Sequence, residues 1–399
     1  MSAAPADAMM PSAARPGVDP ASPPPPGSLP ASAEPVLRAR GLRVRRGDVT
    51  LVEVEDFALR GGEVHVLLGP NGAGKSTLLQ ALNGLEPAEG RLTFGDRPVR
   101  TRADRLSLRR GTAAVFQKPH LLNATVQANA ESGLRLRGAT RAEARRRAAE
   151  ALDLLGVTHL AARRPAGLSG GEAQRVSIAR ALAVAPAVIF LDEPLASLDP
   201  PTRRSLVDDL LRIFARSSMG VVWVTHDRDE ALAVGDALTY LEAGRVVQTG
   251  PVFEVFARPA SRSFAEFLGL DTFLPGRVIG EADGRTRFVL DTGVELACGE
   301  APDGAAVVVI PPEDVVLFSA PPPAHSSSLR NVVQGTVKSV APSGRLLRVV
   351  VSADGLEIAA LVTRAGLDDL GLNVGGPVTA AFKAAALHPL PRHERRSGR

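Results

Sequence analysis

Two glycine-containing stretches of the 399-residue chain carry residue types that can handle phosphate. The first runs Gly69, Pro70, Asn71, Gly72, Ala73, Gly74, Lys75, Ser76, Thr77 and fits the spacing G-x-x-x-x-G-K-[ST]. Glycines there let backbone N–H groups converge on an anion, and a helix N-terminus behind them adds positive potential. In such a loop Lys75 reaches the β- and γ-phosphates and the Ser76 hydroxyl ligates Mg²⁺. The mechanism needs an apolar strand leading in and a helix leading out. Glu63 to Leu68 supplies the first and a segment from about Lys75 to Asn83 the second. The chain is therefore expected to bind a nucleoside triphosphate. The second stretch, Leu168-Ser-Gly-Gly-Glu-Ala-Gln-Arg175, has no lysine. Ser169 with Glu172 three residues on is a capping box, so the stretch is either a helix start or a second phosphate contact.

Val188-Ile-Phe-Leu-Asp192-Glu193 supplies the acids. An apolar strand ending in Asp192 beside the loop would hold Mg²⁺ through water, with Glu193 positioned to orient or polarise an attacking water. Many strands end at an acidic helix cap, so this pair gains its meaning from the loop. His226, after the apolar run Val221 to Val224, and Gln117, in Val-Phe-Gln-Lys-Pro, have no assignable chemistry from their types alone.

These residues must be positioned by alternating strands and helices. Strand-like segments at Leu37–Arg40 and Leu51–Glu55 precede the loop. Arg102 to Arg164 reads as helical, with a capping box at Thr140-Arg-Ala-Glu143 and an apolar face of Ala148, Leu152 and Leu155. A helix runs from the second stretch to about Val184, another covers about Leu206 to Phe214, and Tyr240 to Val247 reads as a hairpin through Ala243-Gly244. Helices alternating with continuously apolar strands predict a buried, mainly parallel sheet. Past about Gly269, short strands and frequent glycine turns predict small β domains. The expected division is a Pro/Ala-rich tail at 1–34, an α/β unit at 35–268 with a helical part at about 102–165, a β-rich segment at 269–327, a second β domain at 328–392 and a basic tail at 393–399.

Composition excludes several classes. Lys+Arg at 47 nearly balances Asp+Glu at 43, and only four residues are lysine, so the pI near 9.8 reflects arginine-rich usage and does not point to nucleic acid. The single cysteine, Cys298, excludes an internal disulfide framework and fits a reducing compartment. The longest apolar candidate, Ala181 to Leu191, is interrupted by Pro186, so no membrane span is expected. Met1 to Pro30 lacks the basic start and apolar core of a signal peptide.

In order along about residues 36–268, the chain resembles the ATP-binding-cassette (ABC) ATPases. The first loop looks like their Walker A motif, Gln117 like the Q-loop, LSGGEAQR like the signature, VIFLDEP like Walker B, Ser197-Leu-Asp199 like the D-loop and His226 like the switch histidine. The resemblance implies ATP and Mg²⁺ as cofactors, with Ser76, Gln117 and Asp192 around the metal, Glu193 as the catalytic glutamate and His226 as a γ-phosphate contact. It further implies a head-to-tail pair of copies in which Ser169, Gly170 and Gly171 cap the partner's γ-phosphate, and it counts Asp199 among the nucleotide-binding residues. The lysine is then missing from the second stretch because the partner supplies it. The family's aromatic residue for adenine is missing. Arg46 at the matching place either stacks through its guanidinium plane or is a surface arginine.

A single cassette followed by such a tail resembles a bacterial importer subunit, which implies separate permease subunits, an extracytoplasmic binding protein and a place on the cytoplasmic face of the inner membrane. Val308-Val-Ile-Pro-Pro-Glu-Asp-Val315 resembles regulatory β domains of the TOBE type, OB-like in fold, with Pro311 where arginine is usual. Ser328-Leu-Arg330-Asn331 with Ala381-Phe-Lys383-Ala384 looks like the molybdate-binding β domain. That points to molybdate or tungstate uptake and to Ser328, Arg330 and Lys383 as oxyanion ligands. Sulfate, phosphate, polyamine or sugar import, a tail without ligand, and an oxyanion-sensing ATPase uncoupled from transport are the alternatives.

Overall fold

The computed structural model describes residues 34–282, 285–299, 301, 305–322 and 328–391; the terminal tails read from composition lie outside these except for Glu34. The chain opens with the strands β1 (Leu37–Arg46), β2 (Val49–Leu59) and β3 (Val64–Leu68), then α1 (Lys75–Leu82), β4 (Glu89–Phe94), β5 (Arg97–Pro98), α2 (Arg102–Gly111) and β6 (Thr112–Val115). Helices α3 (Val126–Leu136), α4 (Arg141–Leu154) and α5 (Gly170–Ala183) follow. Next come β7 (Val188–Asp192), α6 (Pro200–Phe214), β8 (Gly220–Thr225), α7 (Arg228–Val234), β9 (Ala237–Glu242), β10 (Arg245–Pro251), α8 (Val252–Ala257) and α9 (Arg262–Phe267).

One ten-stranded sheet holds all of these strands in the order β5-β4-β1-β2-β10-β9-β3-β8-β7-β6. From β9 to β6 every neighbouring pair is parallel, whereas β5, β4, β1 and β2 pair antiparallel. The central strands read as unbroken apolar runs because both faces are covered. Val188 and Phe190 of β7 pack in the layer with α1, while Ile189 and Leu191 pack in the layer holding α3, α4, α5 and α6. That alternation is the two-residue period of a strand with a core on each side.

Two local expectations change. The stretch Arg102 to Arg164 is not helical throughout, because Thr112-Ala-Ala-Val115 joins the sheet edge parallel to β7. Four residues carry too little pattern to compete with that partner strand. At Thr140 only half of the capping box forms: the Thr140 hydroxyl accepts from the Glu143 N–H, but the Glu143 carboxylate pairs with Arg146 at 2.9 Å.

Past Gly269 the described residues are mainly β, with one short α-helix and two 3-10 turns. The strands are β11 (Thr272–Ala282), β12 (Arg285–Leu290), β13 (Glu295–Cys298), β14 (Ala305–Ile310), β15 (Val316–Phe318), β16 (Asn331–Ser343), β17 (Leu346–Ala353) and β18 (Leu356–Val362). Helix α10 (Arg364–Asp369) then leads to β19 (Pro377–Phe382) and β20 (His388–Pro391). They form two five-stranded sheets, ordered β13-β12-β11-β14-β20 and β15-β19-β16-β17-β18. The segments are interleaved: β15 crosses to pair with β19, and β20 returns to β14. One apolar cluster, from Leu274 to Leu387, fills the space between them.

Candidate functional site

The strand β3 is fully buried and ends at Leu68, and the chain turns back on itself before α1 begins at Lys75. Two glycines are required by what lies against them. A Cβ on Gly69 would sit 2.2 Å from the Leu241 carbonyl oxygen. Gly74 has φ +95, a left-handed conformation, and a Cβ there would meet Val52 Cγ2 at 2.5 Å. The Gly244 N–H donates to the Ala73 carbonyl at 3.0 Å, so the β9–β10 turn supports the loop from behind.

A cavity of about 420 Å³ opens above this loop, lined by Asn71, Gly72, Gly74, Lys75, Ser76, Thr77, Gln117, Asp192 and Glu193. Lys75 Nζ donates to the Gly69 and Pro70 carbonyls at 2.8 and 2.9 Å. Burial lowers its pKa from the ordinary lysine value, and the Glu193 and Asp192 carboxylates oppose that shift. The Ser76 hydroxyl donates to Asp192 Oδ1 at 3.0 Å. Burial pushes the Asp192 carboxyl up, against the hydrogen bond from Ser76, while the neighbouring Glu193 charge adds to the rise.

Glu193 follows the last residue of β7 at φ +45, an uncommon conformation for a side chain with a Cβ. Its N–H donates to the Val224 carbonyl at 3.0 Å, which fixes the turn against β8. Its two carboxylate oxygens are divided: Oε2 accepts from Gln117 Nε2 at 3.1 Å, and Oε1 lies 3.0 Å from His226 Nδ1. Three residues from three strand ends of the parallel sheet, Gln117 after β6, Glu193 after β7 and His226 after β8, thus meet at one carboxylate.

The second glycine stretch stands apart from this cavity. Ser169 caps α5 in a full capping box: its hydroxyl accepts from the Glu172 N–H, and the Glu172 carboxylate accepts from the Ser169 N–H at 2.7 Å. That bond holds the Glu172 pKa below its ordinary value. Neither Ser169, Gly170, Gly171 nor Asp199 lines the loop cavity. Asp199 instead caps α6, its carboxylate accepting from the Thr202 N–H and hydroxyl at 3.0 and 2.8 Å. A Cβ on Gly171 would meet Thr202 Cγ2 at 2.8 Å, so α5 rests on the first turn of α6, whereas a Cβ on Gly170 would meet nothing within 4 Å. Arg46 is exposed and lies 3.9 Å from Glu86.

In the tail, Ser328, Arg330 and Lys383 are all exposed. The antiparallel register of Asn331 with Phe382 brings Arg330 and Lys383 to the same corner of a sheet. The Asn331 side chain faces elsewhere: its amide bridges the Ala297 N–H and carbonyl at 2.8 and 2.9 Å.

The side chains that hold the Gln117 segment escaped the sequence reading. Asn129, wholly buried on α3, accepts from the Leu122 N–H at 2.7 Å and donates to the Leu122, Ala124 and Thr125 carbonyls. Arg180 on α5 donates to the His120 carbonyl at 2.7 Å. A signal for Asn129 was present, since it lies on the helical face of Val126, Ala130 and Leu134 and a polar residue there needs partners.

A phosphate-type loop between a central strand and a helix, with an acid-ended strand beside it, defines a P-loop nucleoside triphosphatase. The family described as ABC transporter matches residues 53–196, and the TOBE domain matches residues 327–389. The chain is 36% identical over 343 residues to the molybdate/tungstate import ATP-binding protein WtpC of Pyrococcus horikoshii, covering 84% of this chain and 94% of that one. The WtpC of Pyrococcus abyssi aligns over 83% of this chain. Relatives named for Fe(3+), spermidine/putrescine, methionine and sulfate/thiosulfate import align over 62%, 63%, 68% and 68% of it. Among solved structures, cbiO1 of Clostridium perfringens, part of the ABC transporter complex cbiONQ, is 32% identical with a TM-score of 0.53, covering 56% of this chain and 91% of that one. A dimeric post-hydrolysis cassette, MJ0796 bound to ADP and phosphate, is 30% identical with a TM-score of 0.50 over 54% of this chain and 98% of that one. This chain belongs to the ABC transporter family, as an ATP-binding import subunit that hydrolyses ATP in support of transport. Among the described residues no helix is long and apolar enough to cross a membrane.

Proposed function

We propose that this chain energises uptake of an oxyanion, molybdate or tungstate, as a head-to-tail pair of copies on the cytoplasmic face of the membrane beneath permease subunits fed by a separate binding protein. One observation carries the cargo: the two relatives that align over the largest shares of this chain among those cited, 84% and 83%, are both named for molybdate/tungstate import, although a third of that name aligns over 60%.

In the catalytic cycle Lys75 exchanges its loop carbonyls for the β- and γ-phosphates, and the loop N–H groups bind the same oxygens. The Ser76 hydroxyl, the Asp192 carboxylate and the Gln117 amide oxygen are hard donors along one cavity wall and suit Mg²⁺. When bound, that ion neutralises charge on the transferring phosphoryl group. Glu193 accepts a hydrogen bond from the attacking water, and Gln117 and His226 hold its carboxylate in place from either side. His226 contacts the γ-phosphate, while Ser169 and the Gly170–Gly171 backbone close over the phosphate of the partner copy, with Asp199 beside them. Arg46 stacks on adenine. Ser328, Arg330 and Lys383 form the oxyanion contact of the tail.

The cargo is tested by deleting the gene and measuring cellular molybdenum, tungsten, iron and sulfur under limiting supply. Loss of molybdenum or tungsten alone is expected. Loss of iron or sulfur with molybdenum and tungsten unchanged would overturn the cargo reading.

A further inference from the structure

A small ionic network behind His226 connects it to the helix that starts at Asp199. Arg203 lies in the first turn of α6, where its N–H donates to the Asp199 carbonyl at 2.9 Å. Its guanidinium reaches across to the residues around the histidine. Arg203 Nη1 lies 3.4 Å from Asp227 Oδ2 and 3.8 Å from Glu230 Oε1. Both carboxylates are already engaged by groups close to His226. Asp227 Oδ1 caps α7 by accepting from the Asp229 and Glu230 N–H groups at 2.8 and 3.1 Å. Glu230 Oε2 accepts from the Thr225 hydroxyl at 2.8 Å, and that hydroxyl accepts from the Asp227 N–H at 3.0 Å. The residues on both sides of His226 are therefore pinned, and Arg203 touches both pins.

We propose that Arg203 is a positioning residue that couples the Asp199 turn to the switch histidine, so that engagement of the partner copy at Asp199 sets the orientation of His226 at the chain's own nucleotide. The proposal rests on the proposed readings of His226 as the γ-phosphate contact and of Asp199 as a residue met by the partner copy. The connection runs through one residue: the Arg203 backbone follows Asp199, and its side chain follows Asp227 and Glu230. Nη1 serves both carboxylates while the buried Nε has no hydrogen-bond partner. A guanidinium held at one corner in this way tilts with α6 and is not clamped as a bidentate fork would be. The Arg203–Asp227 pair is partly exposed on both sides and contributes little to stability, whereas Glu230 is buried and gains more from the nearby charge, so orientation is separated from folding by comparing turnover with melting.

The experiment uses the full-length chain and measures ATPase rate against ATP concentration, together with melting temperature. Arg203→Met keeps the aliphatic stem and removes the charge. The expected result is a fall in kcat of about tenfold, half-saturating ATP within about twofold, and a Hill coefficient below that of the unsubstituted chain. Melting should fall by no more than a few degrees, and Arg203→Lys should restore most of kcat. In a His226→Ala background Arg203→Met should cost nothing further, because it acts through that histidine. Unchanged kcat and cooperativity in Arg203→Met would overturn the proposal, as would an additive loss in the His226→Ala background. A joint fall of melting temperature and kcat that lysine does not rescue would reduce Arg203 to a structural role. The two layers separate cleanly. Normal turnover in His226→Ala removes the switch reading and the proposal with it, whereas slowed but measurable turnover in His226→Ala beside normal Arg203→Met removes the coupling alone.

Discussion

Gly170 and Gly171 are adjacent, chemically identical and both in the first turn of α5, yet alanine should act differently at each. At Gly170 a Cβ meets nothing within 4 Å in the chain, and the glycine has no left-handed φ. Alanine there should leave folding intact or stabilise it by about 0.5 kcal/mol through lower unfolded-state entropy. That corresponds to a rise in melting temperature of about 1–2 °C. At Gly171 the Cβ would meet Thr202 Cγ2 at 2.8 Å, and the threonine cannot rotate freely because its hydroxyl donates to Asp199 at 2.8 Å. Overpacking of that kind costs about 1 kcal/mol and should lower the melting temperature. Turnover should fall in both. If a partner's phosphate docks on this turn, the Gly170 methyl displaces a charged hydrogen bond worth about 1.5–3 kcal/mol. At about 1.4 kcal/mol per factor of ten, turnover falls roughly tenfold to a hundredfold. The assay is steady-state ATP hydrolysis beside a melting curve of the same preparation. Gly170→Ala with wild-type turnover would refute the reasoning, because nothing would then approach the open face of that glycine.

Three further outcomes test the site. Glu193→Gln should bind Mg-ATP and hydrolyse it at least about 100-fold more slowly, read by single-turnover kinetics, and near-normal turnover would remove Glu193 from the reaction. Lys75→Ala mixed with Ser169→Arg leaves one composite site intact in a mixed pair. Partial ATPase activity should therefore appear although each variant alone is inactive, and wild-type turnover by pure Ser169→Arg would leave that serine as a helix cap only. Calorimetric titration of the full chain should show molybdate or tungstate binding lost in Ser328→Ala and Lys383→Ala, with sulfate and phosphate weaker; no binding, or equal binding of all four, would remove the oxyanion reading of the tail.

Much of the site was legible because its chemistry is local in sequence. The phosphate loop needs glycines, a lysine and a hydroxyl within nine consecutive positions, and Gly69 to Thr77 contains them all. Asp192 and Glu193 were legible because a strand buried on both faces is apolar until it reaches the site. Gln117 and His226 carried no such local signal and were placed by family order alone. That they meet at the Glu193 carboxylate follows from β6, β7 and β8 being adjacent and parallel.

Other features needed the fold itself. β6 becomes a strand only because β7 lies alongside it. The tail reads along the sequence as two successive β segments, but β15 and β20 each pair across the division, and a single core results. Arg203 and Arg180 act on residues 24 and 60 positions away, distances that no periodicity in the chain encodes. The sequence by itself determined the phosphate chemistry and the buried strands, because these depend on residue type and short spacing. Tertiary structure alone decided which distant side chains orient the site, because that depends on strand order and on which partners burial leaves within hydrogen-bonding reach.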